Sequence, residues 1–318
     1  TRALAVITTG ENVLREKFEP GALLIRIAKS HIRVGTFQFG SLLKKQNEFD
    51  NLISYTIKRL NPELINSDNK YINFFETICD LQISLIIEWM RVGFIHGVMN
   101  TDNMSLSGET IDYGPCAFLD NYNPKTVFSS IDKMGRYSFE NQSKITLWNL
   151  ARFAETILHL IDNDENKAVR IVEEILEKYN KKFNINWNLM MSKKLNLDLN
   201  STNEEIIKEF LDLMHIHKLD YTNTFLDLEN NRLNKNIFKK WTYKYNQLKL
   251  KKFNKVNPVV IPRNHILEKI IYESYYQNYD LLYKFEKVIK NPYNINTDKI
   301  FQQPPNDNEK VYQTFCGT

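Results

Sequence analysis

Cysteine is scarce in this chain, with three residues among 318, and no two of them form a Cys-x-x-Cys pair. Three scattered thiols build neither a disulfide framework nor a structural zinc site, so a reducing compartment is expected.

Long hydrophobic runs are lacking as well. The apolar stretch at residues 83–90 is interrupted by Ser84 and Glu88 and is far shorter than the ~20 residues that a membrane span needs. We therefore expect no span.

An excess of charge of one sign is also absent. Lysine and arginine number 42 against 38 acidic residues, a net charge of +4, which in a chain this long does not indicate a nucleic-acid or membrane partner. Lysines alternate with aromatic residues at positions 239–255, a pattern seen in nucleic-acid grooves. A solvated helix face with its aromatic residues in the core explains it better. Neither nucleic acid nor membrane is expected as a partner.

Apolar periodicity predicts an α+β fold that is mainly α. Two β-branched runs, residues 3–8 and 22–28, predict strands with a turn at residues 19–21. Residues 96–142 lack helical periodicity and predict a long structured loop region, while prolines after Asn291 predict an extended tail. Apolar residues at three- and four-residue steps predict helices at residues 37–60, 71–94, 145–161, 168–179, 204–217, 235–250, 265–276 and 279–290.

The most informative polar motif lies in this loop region. His96 is followed seven residues later by Asn103, and the triplet Asp112-Tyr113-Gly114 comes after a hairpin-like segment. In protein kinases a His opens the catalytic loop, an Asn seven residues on holds a metal ion, and an Asp-Phe-Gly aspartate joins the metal to phosphates. Carboxylate and amide oxygens suit Mg²⁺. The spacing therefore predicts a metal and nucleotide site at Asn103 and Asp112.

The catalytic base of the kinase pattern is missing. Its position, two residues after His96, is occupied by Val98, which cannot accept a proton, so ordinary phosphoryl transfer is in doubt. Asp102, beside Asn103, is the nearest replacement base. The alternative is a polar loop whose Asp and Asn residues only cap turns. That interpretation suits any single residue, whereas the complete spacing favours a site.

Two arginines seven positions apart, Arg26 and Arg33, belong to a cluster at the end of the second predicted strand, beside Gly35. Guanidinium groups form bidentate hydrogen bonds to phosphate oxygens. The pair either converges on phosphate or consists of two surface arginines, and the residues alone leave both interpretations open.

Long segments of the chain resemble the selenoprotein O family of protein adenylyltransferases, also called YdiU. The matching segments are residues 1–5, 26–38, 97–120, 135–142, 147–152 and 291–293. The resemblance implies a protein-kinase-like (pseudokinase) fold that binds ATP in a flipped orientation and transfers AMP to Ser, Thr or Tyr hydroxyls of proteins. Some members transfer UMP with Mn²⁺. It also implies a cytoplasmic protein if the source is bacterial and a mitochondrial one if it is eukaryotic.

The same resemblance implies a role for each site residue. Asp102 would accept the proton, Asn103 and Asp112 would hold Mg²⁺ (or Mn²⁺), and Asp112 would also contact the nucleotide. Arg26 and Arg33 match the family's two phosphate-binding arginines.

The implied organisation has three parts: a remnant of a kinase-like N-lobe sheet at residues 1–36, a helical C-lobe at 37–290 with its catalytic loops, and a tail at 291–318. The family's Gly-rich nucleotide segment and its Lys lie before the position of Thr1, so we expect a missing N-terminal segment. An inert fragment or binding module is therefore the rival of an active enzyme.

Two further expectations concern cysteine and a second rival. The family carries a redox-active Cys or selenocysteine near its C-terminus, here Cys316, but its second Cys falls where this chain has Phe128, so we do not expect that disulfide. Small-molecule phosphotransferases of the aminoglycoside-kinase type share the His-Gly, Asn and Ile-Asp pattern. They have Asp at the position of Val98, which argues against this second rival.

Overall fold

The computed structural model describes residues 1–15, 17–43, 45–199, 203–252 and 255–315, and its fold is α+β and mainly helical. The strands are β1 (Arg2–Leu14), β2 (Phe18–Ile27), β3 (Phe94–Ile95) and β4 (Ala117–Phe118). The helices are α1 (Val34–Leu42), α2 (Gln46–Leu60), α3 (Lys70–Val92), α4 (Gln142–Ile161), α5 (Glu165–Leu195), α6 (Glu204–Ile216), α7 (Tyr221–Glu229), α8 (Lys235–Leu248), α9 (Asn264–Tyr275) and α10 (Asp280–Ile289). None of the helices in these ranges has the length and apolar character to cross a membrane.

β1 and β2 form an antiparallel hairpin at the start of the chain. Both predicted strands are confirmed, but they are longer than predicted because the chain reverses between Leu14 and Phe18, which pair with each other. The turn predicted at residues 19–21 was wrong. Pro20 lies inside β2 opposite Asn12, just beyond an irregularity in the register, a position where a strand tolerates proline. Most aliphatic side chains of this hairpin are exposed on both faces.

The helices differ from the prediction in three places. The helix predicted at residues 37–60 is two helices, α1 and α2, because a run of polar residues interrupts its apolar stripe. α5 is 31 residues long, well beyond the predicted 168–179, since its many Lys and Asn residues obscure its period. α7 was missed. α3 ends as predicted near residue 94, where Gly93 takes the left-handed φ of 77° that terminates helices.

α3, α4 and α5 pack together around the main core, which α1 completes. Phe75, Phe153 and Tyr179 are fully buried there. A smaller apolar cluster lies between α9, α10 and the segment that follows them. Arg263 and Asp120 form a buried ion pair between that part and the main body. The loop region at residues 96–142, which contains the candidate site, lies against this core.

Candidate active site

A small hairpin at residues 104–110 organises the candidate site. Met104 and Thr110 are antiparallel partners across it, and the Val34 N–H of α1 donates to the Met104 carbonyl at 3.0 Å. Residues just before Met104 and just after Thr110 therefore lie at the same end of the hairpin. Asn103 and Asp112, the two predicted metal ligands, are among them.

His96 connects the loop at residues 96–103, the candidate catalytic loop, to the loop that carries Asp112. Its Nε2 lies 2.8 Å from the Ile111 carbonyl, and its Nδ1 lies 3.4 Å from the Val98 N–H. Because a carbonyl only accepts and an N–H only donates, the proton belongs on Nε2. Burial lowers the pKa of His96, so the ring is neutral near pH 7. Its hydrogen bond to the Ile111 carbonyl holds Ile111 in place immediately before Asp112.

Asn103 and Asp112 both present oxygen atoms that fit a hard cation. The Asn103 side-chain amide donates to the Val98 carbonyl at 3.0 Å, which leaves its oxygen for another partner. Asp112 is exposed and accepts only one weak hydrogen bond in the described part of the chain, from the Gly114 N–H at 3.3 Å. An amide and a carboxylate oxygen suit Mg²⁺ or Mn²⁺ when water and phosphate complete the shell.

No larger ligand set exists elsewhere in the described ranges, because they contain no group of three or more His, Cys, Asp or Glu side chains placed to hold a metal. Asn103 and Asp112 supply two oxygen ligands, so water or phosphate oxygens would have to complete the shell of a cation bound there.

Asp102 lies directly over Gly35, in the first turn of α1. A Cβ atom at Gly35 would overlap the Asp102 carboxylate. Arg33, the N-cap residue of α1, donates from its guanidinium to the Asp102 carbonyl at 3.1 Å. The carboxylate is exposed, and no residue in the described ranges hydrogen-bonds to it. It is therefore available to accept a proton.

Replacing Gly35 with Ala is expected to lower kcat for nucleotidyl transfer by roughly 100-fold, because it would displace Asp102, the predicted proton acceptor, and a shift of about 1 Å has an effect of this size. The overlap is with the Asp102 side chain, so the affinity for ATP should stay the same. Gly40→Ala on the same helix is the matched control, since its Cβ would meet only Leu52 and Phe49. Steady-state kinetics with calorimetric ATP binding test this, and a wild-type kcat in Gly35→Ala would contradict it.

Both predicted arginines lie against the loops that carry the predicted site. The Arg26 guanidinium lies 4.7 Å from the ring centroid of Tyr113, the central residue of the Asp-Tyr-Gly motif. It also donates to the Thr1 hydroxyl. Arg33 bonds to Asp102, as described above. Each arginine therefore contacts one of the two loops that carry the predicted site residues.

Two buried amides of α4 hold the catalytic loop, and sequence reasoning missed both. The Gln142 side chain donates to the Phe94 carbonyl at 3.1 Å and accepts from the His96 N–H at 3.1 Å. The Asn149 amide donates to the Met99 carbonyl at 2.9 Å. Both side chains are 0% exposed. Amides on the apolar face of a helix were the available signal, because buried polar groups need partners.

α3 holds the 104–110 hairpin in the same way. Gln82 donates to the Ser105 carbonyl at 2.7 Å, and the Trp89 indole donates to the Thr110 hydroxyl at 2.8 Å. Gln82 is also buried in an apolar stripe. The hairpin is therefore fixed by helix side chains from below.

The tail after Asn291 reaches the loop that carries Asp112. The Thr314 hydroxyl donates to the Pro115 carbonyl at 2.5 Å, and its backbone pairs with residues 128–130. Cys316 lies outside the described residues. Cys116 carries a free thiol, and burial raises its pKa to about 11, so this thiol is protonated at neutral pH.

Comparison with other proteins defines the class and then the family. Residues 1–291 match the family model described as "Protein adenylyltransferase SelO". Proteins named "Protein nucleotidyltransferase YdiU" from Pelagibacter ubique and Clostridium perfringens strain SM101 are 44% and 43% identical to the chain, respectively. Each alignment covers 100% of this chain and 70% or 69% of the relative. The protein is thus a nucleotidyltransferase. It belongs to the SelO family of protein adenylyltransferases, which confirms the resemblance noted in the sequence.

Proposed function

We propose that this chain transfers AMP from ATP to Ser, Thr or Tyr hydroxyls of proteins, working from a protein-kinase-like fold. The observation that carries the proposal is the placement of Asp102, Asn103 and Asp112 at one end of a single hairpin, with Arg26 and Arg33 against the same loops. Membership of the SelO family supports the reaction class.

In the proposed reaction, Asp102 accepts the proton of the acceptor hydroxyl. The hydroxyl oxygen attacks the α-phosphorus of ATP, the bond from that phosphorus to the oxygen bridging to the β-phosphate breaks, and pyrophosphate leaves. Arg26 and Arg33 offset the charge on the phosphates. A divalent cation held by Asn103 and Asp112 would neutralise further phosphate charge when bound.

The proposed architecture assigns residues 1–36 to the sheet of a kinase-like N-lobe, residues 37–290 to the helical C-lobe and residues 291–318 to the tail. The hairpin of β1 and β2 and the helical body that follows support this division. α1 begins at Val34 and so crosses the first boundary by three residues.

The test incubates the purified chain and candidate acceptor proteins with ATP radiolabelled at either the α- or the γ-phosphate, with Mg²⁺ or Mn²⁺. We expect label on protein from α-labelled ATP only, and none in Asp112→Ala. α-labelled UTP with Mn²⁺ tests UMP transfer in the same assay.

Other outcomes would contradict the proposal. Label from the γ-phosphate would indicate a kinase, and label only on a small molecule would indicate a phosphotransferase of the aminoglycoside-kinase type. Failure of both labels, without an ATP-dependent rise in melting temperature, would indicate an inert fragment or binding module.

A further inference from the structure

An exposed aromatic and basic surface lies outside the residues that the proposed mechanism uses. We call it the Arg136 surface, and it consists of Ile131, Met134, Arg136, Trp148 and Arg152. The guanidinium groups of Arg136 and Arg152 lie 4.8 and 5.4 Å from the Trp148 ring centroid. Ile131 is 71% exposed and Met134 is 91% exposed. Arginine, tryptophan and methionine together are typical of surfaces that bind proteins.

The Arg136 guanidinium forms no ion pair in the described ranges. Asp132, nearby in the same loop, uses its carboxylate to accept the backbone N–H groups of Arg136 and Tyr137 at 2.9 and 2.8 Å. Arg152 is paired with Glu155, but no acidic side chain of the described ranges pairs with the Arg136 guanidinium. Residues 131–152 contain four cationic and two acidic side chains. The surface therefore favours a negatively charged partner.

The Arg136 surface is connected to the candidate site at both ends. Asn149, the neighbour of Trp148 in α4, donates to the Met99 carbonyl in the catalytic loop at 2.9 Å. Thr314 pairs with the start of the loop that carries this surface and also donates to the Pro115 carbonyl, just after the Asp-Tyr-Gly motif. These contacts join the segments that carry the Arg136 surface to both loops of the candidate site.

We infer that the Arg136 surface docks an acidic segment of the acceptor protein, in which Asp or Glu lies near the acceptor hydroxyl. This inference rests on the proposed nucleotidyl transfer to proteins. ATP phosphates already have Arg26 and Arg33 in the candidate site. The exposed apolar Ile131 and Met134 suit protein side chains and not a triphosphate.

Two synthetic peptides test the inference, each with one Tyr, flanked by Asp in one and by Asn in the other. Their binding to the full chain without ATP is measured by fluorescence anisotropy, and their modification by transfer from α-labelled ATP. We expect the wild type to bind the Asp peptide roughly tenfold more tightly, the effect of one charge-assisted contact. Arg136→Glu should remove this preference, and Arg136→Lys should retain part of it. Arg170→Glu, at an exposed position of α5, is the matched control and should bind like the wild type.

Equal binding of the two peptides by the wild type would overturn the inference. So would an Arg136→Glu variant in which the KM for ATP rises while the preference for the Asp peptide is kept, since the surface would then serve the nucleotide. The binding arm separates this inference from the proposed function. Preference for Asp without any transfer would support docking and contradict the transferase proposal, whereas transfer without the preference would do the reverse.

Discussion

Replacing Asp102 with Asn is expected to slow nucleotidyl transfer by about 10²- to 10⁴-fold, the usual contribution of a positioned general base. The amide has the same shape as the carboxylate but cannot take the proton of the acceptor hydroxyl. Asp102 is exposed, with no hydrogen bond to its carboxylate in the described ranges, so melting temperature and ATP affinity should not change. Single-turnover transfer from α-labelled ATP measures the rate.

Asp112→Asn is the informative comparison, because the two aspartates lie at the same end of the hairpin and have different proposed roles. That variant should lose cation-dependent ATP binding as well as transfer, while Asp102→Asn should keep binding. If Asp102→Asn reacts at the wild-type rate, the proton acceptor is another group. If it loses ATP binding, Asp102 serves the nucleotide instead.

Arg263→Met is expected to destabilise the fold by about 3–5 kcal/mol, the cost of removing one partner from a buried ion pair. Arg263 is 1% exposed and donates to Asp120 at 2.6 Å and to Asp220 at 2.8 and 3.0 Å. Without it, two carboxylates would face each other in a site with little water. Urea unfolding measures the loss, and Arg170→Met at an exposed position of α5 is the control.

The loss should depend on pH. Burial raises the pKa of Asp120, and Arg263 opposes that effect. In Arg263→Met the opposition is gone, so the folded state binds a proton more readily than the unfolded state does. Stability of the variant should then fall as pH rises through the raised pKa, and the deficit should shrink toward about pH 4. Adding Asp120→Asn should recover part of it at neutral pH, and a deficit below about 1 kcal/mol would contradict this account.

The candidate site combines residues at a local sequence spacing with supporting side chains from distant parts of the chain. The spacing of His96, Asn103 and Asp112 depends on neighbouring residues, and the structure places all three around one hairpin. The contacts of Gln142 and Asn149 join distant parts of the chain. No local pattern encodes which carbonyl a buried amide will meet, although its place on an apolar face shows that it must meet one.

The errors in the fold have the same origin. The φ restriction of Pro20 predicts a turn at that residue. In the structure, however, Pro20 pairs with Asn12 inside the hairpin, and the chain reverses earlier, between Leu14 and Phe18. The length of α5 comes from packing against α3 and α4, which stabilises a helix whose polar surface hides its period.

The contact between Thr314 and Pro115 also sets an order of events during synthesis. These residues are 199 positions apart in the chain, and ribosomes add about 5–20 residues per second. Thr314 is therefore synthesised roughly 10–40 s after Pro115, and their hydrogen bond cannot form before then. The nascent chain can bury α3 and α4 around their core long before then. The loop that carries Asp112 is thus among the last parts of the candidate site to acquire all its native contacts.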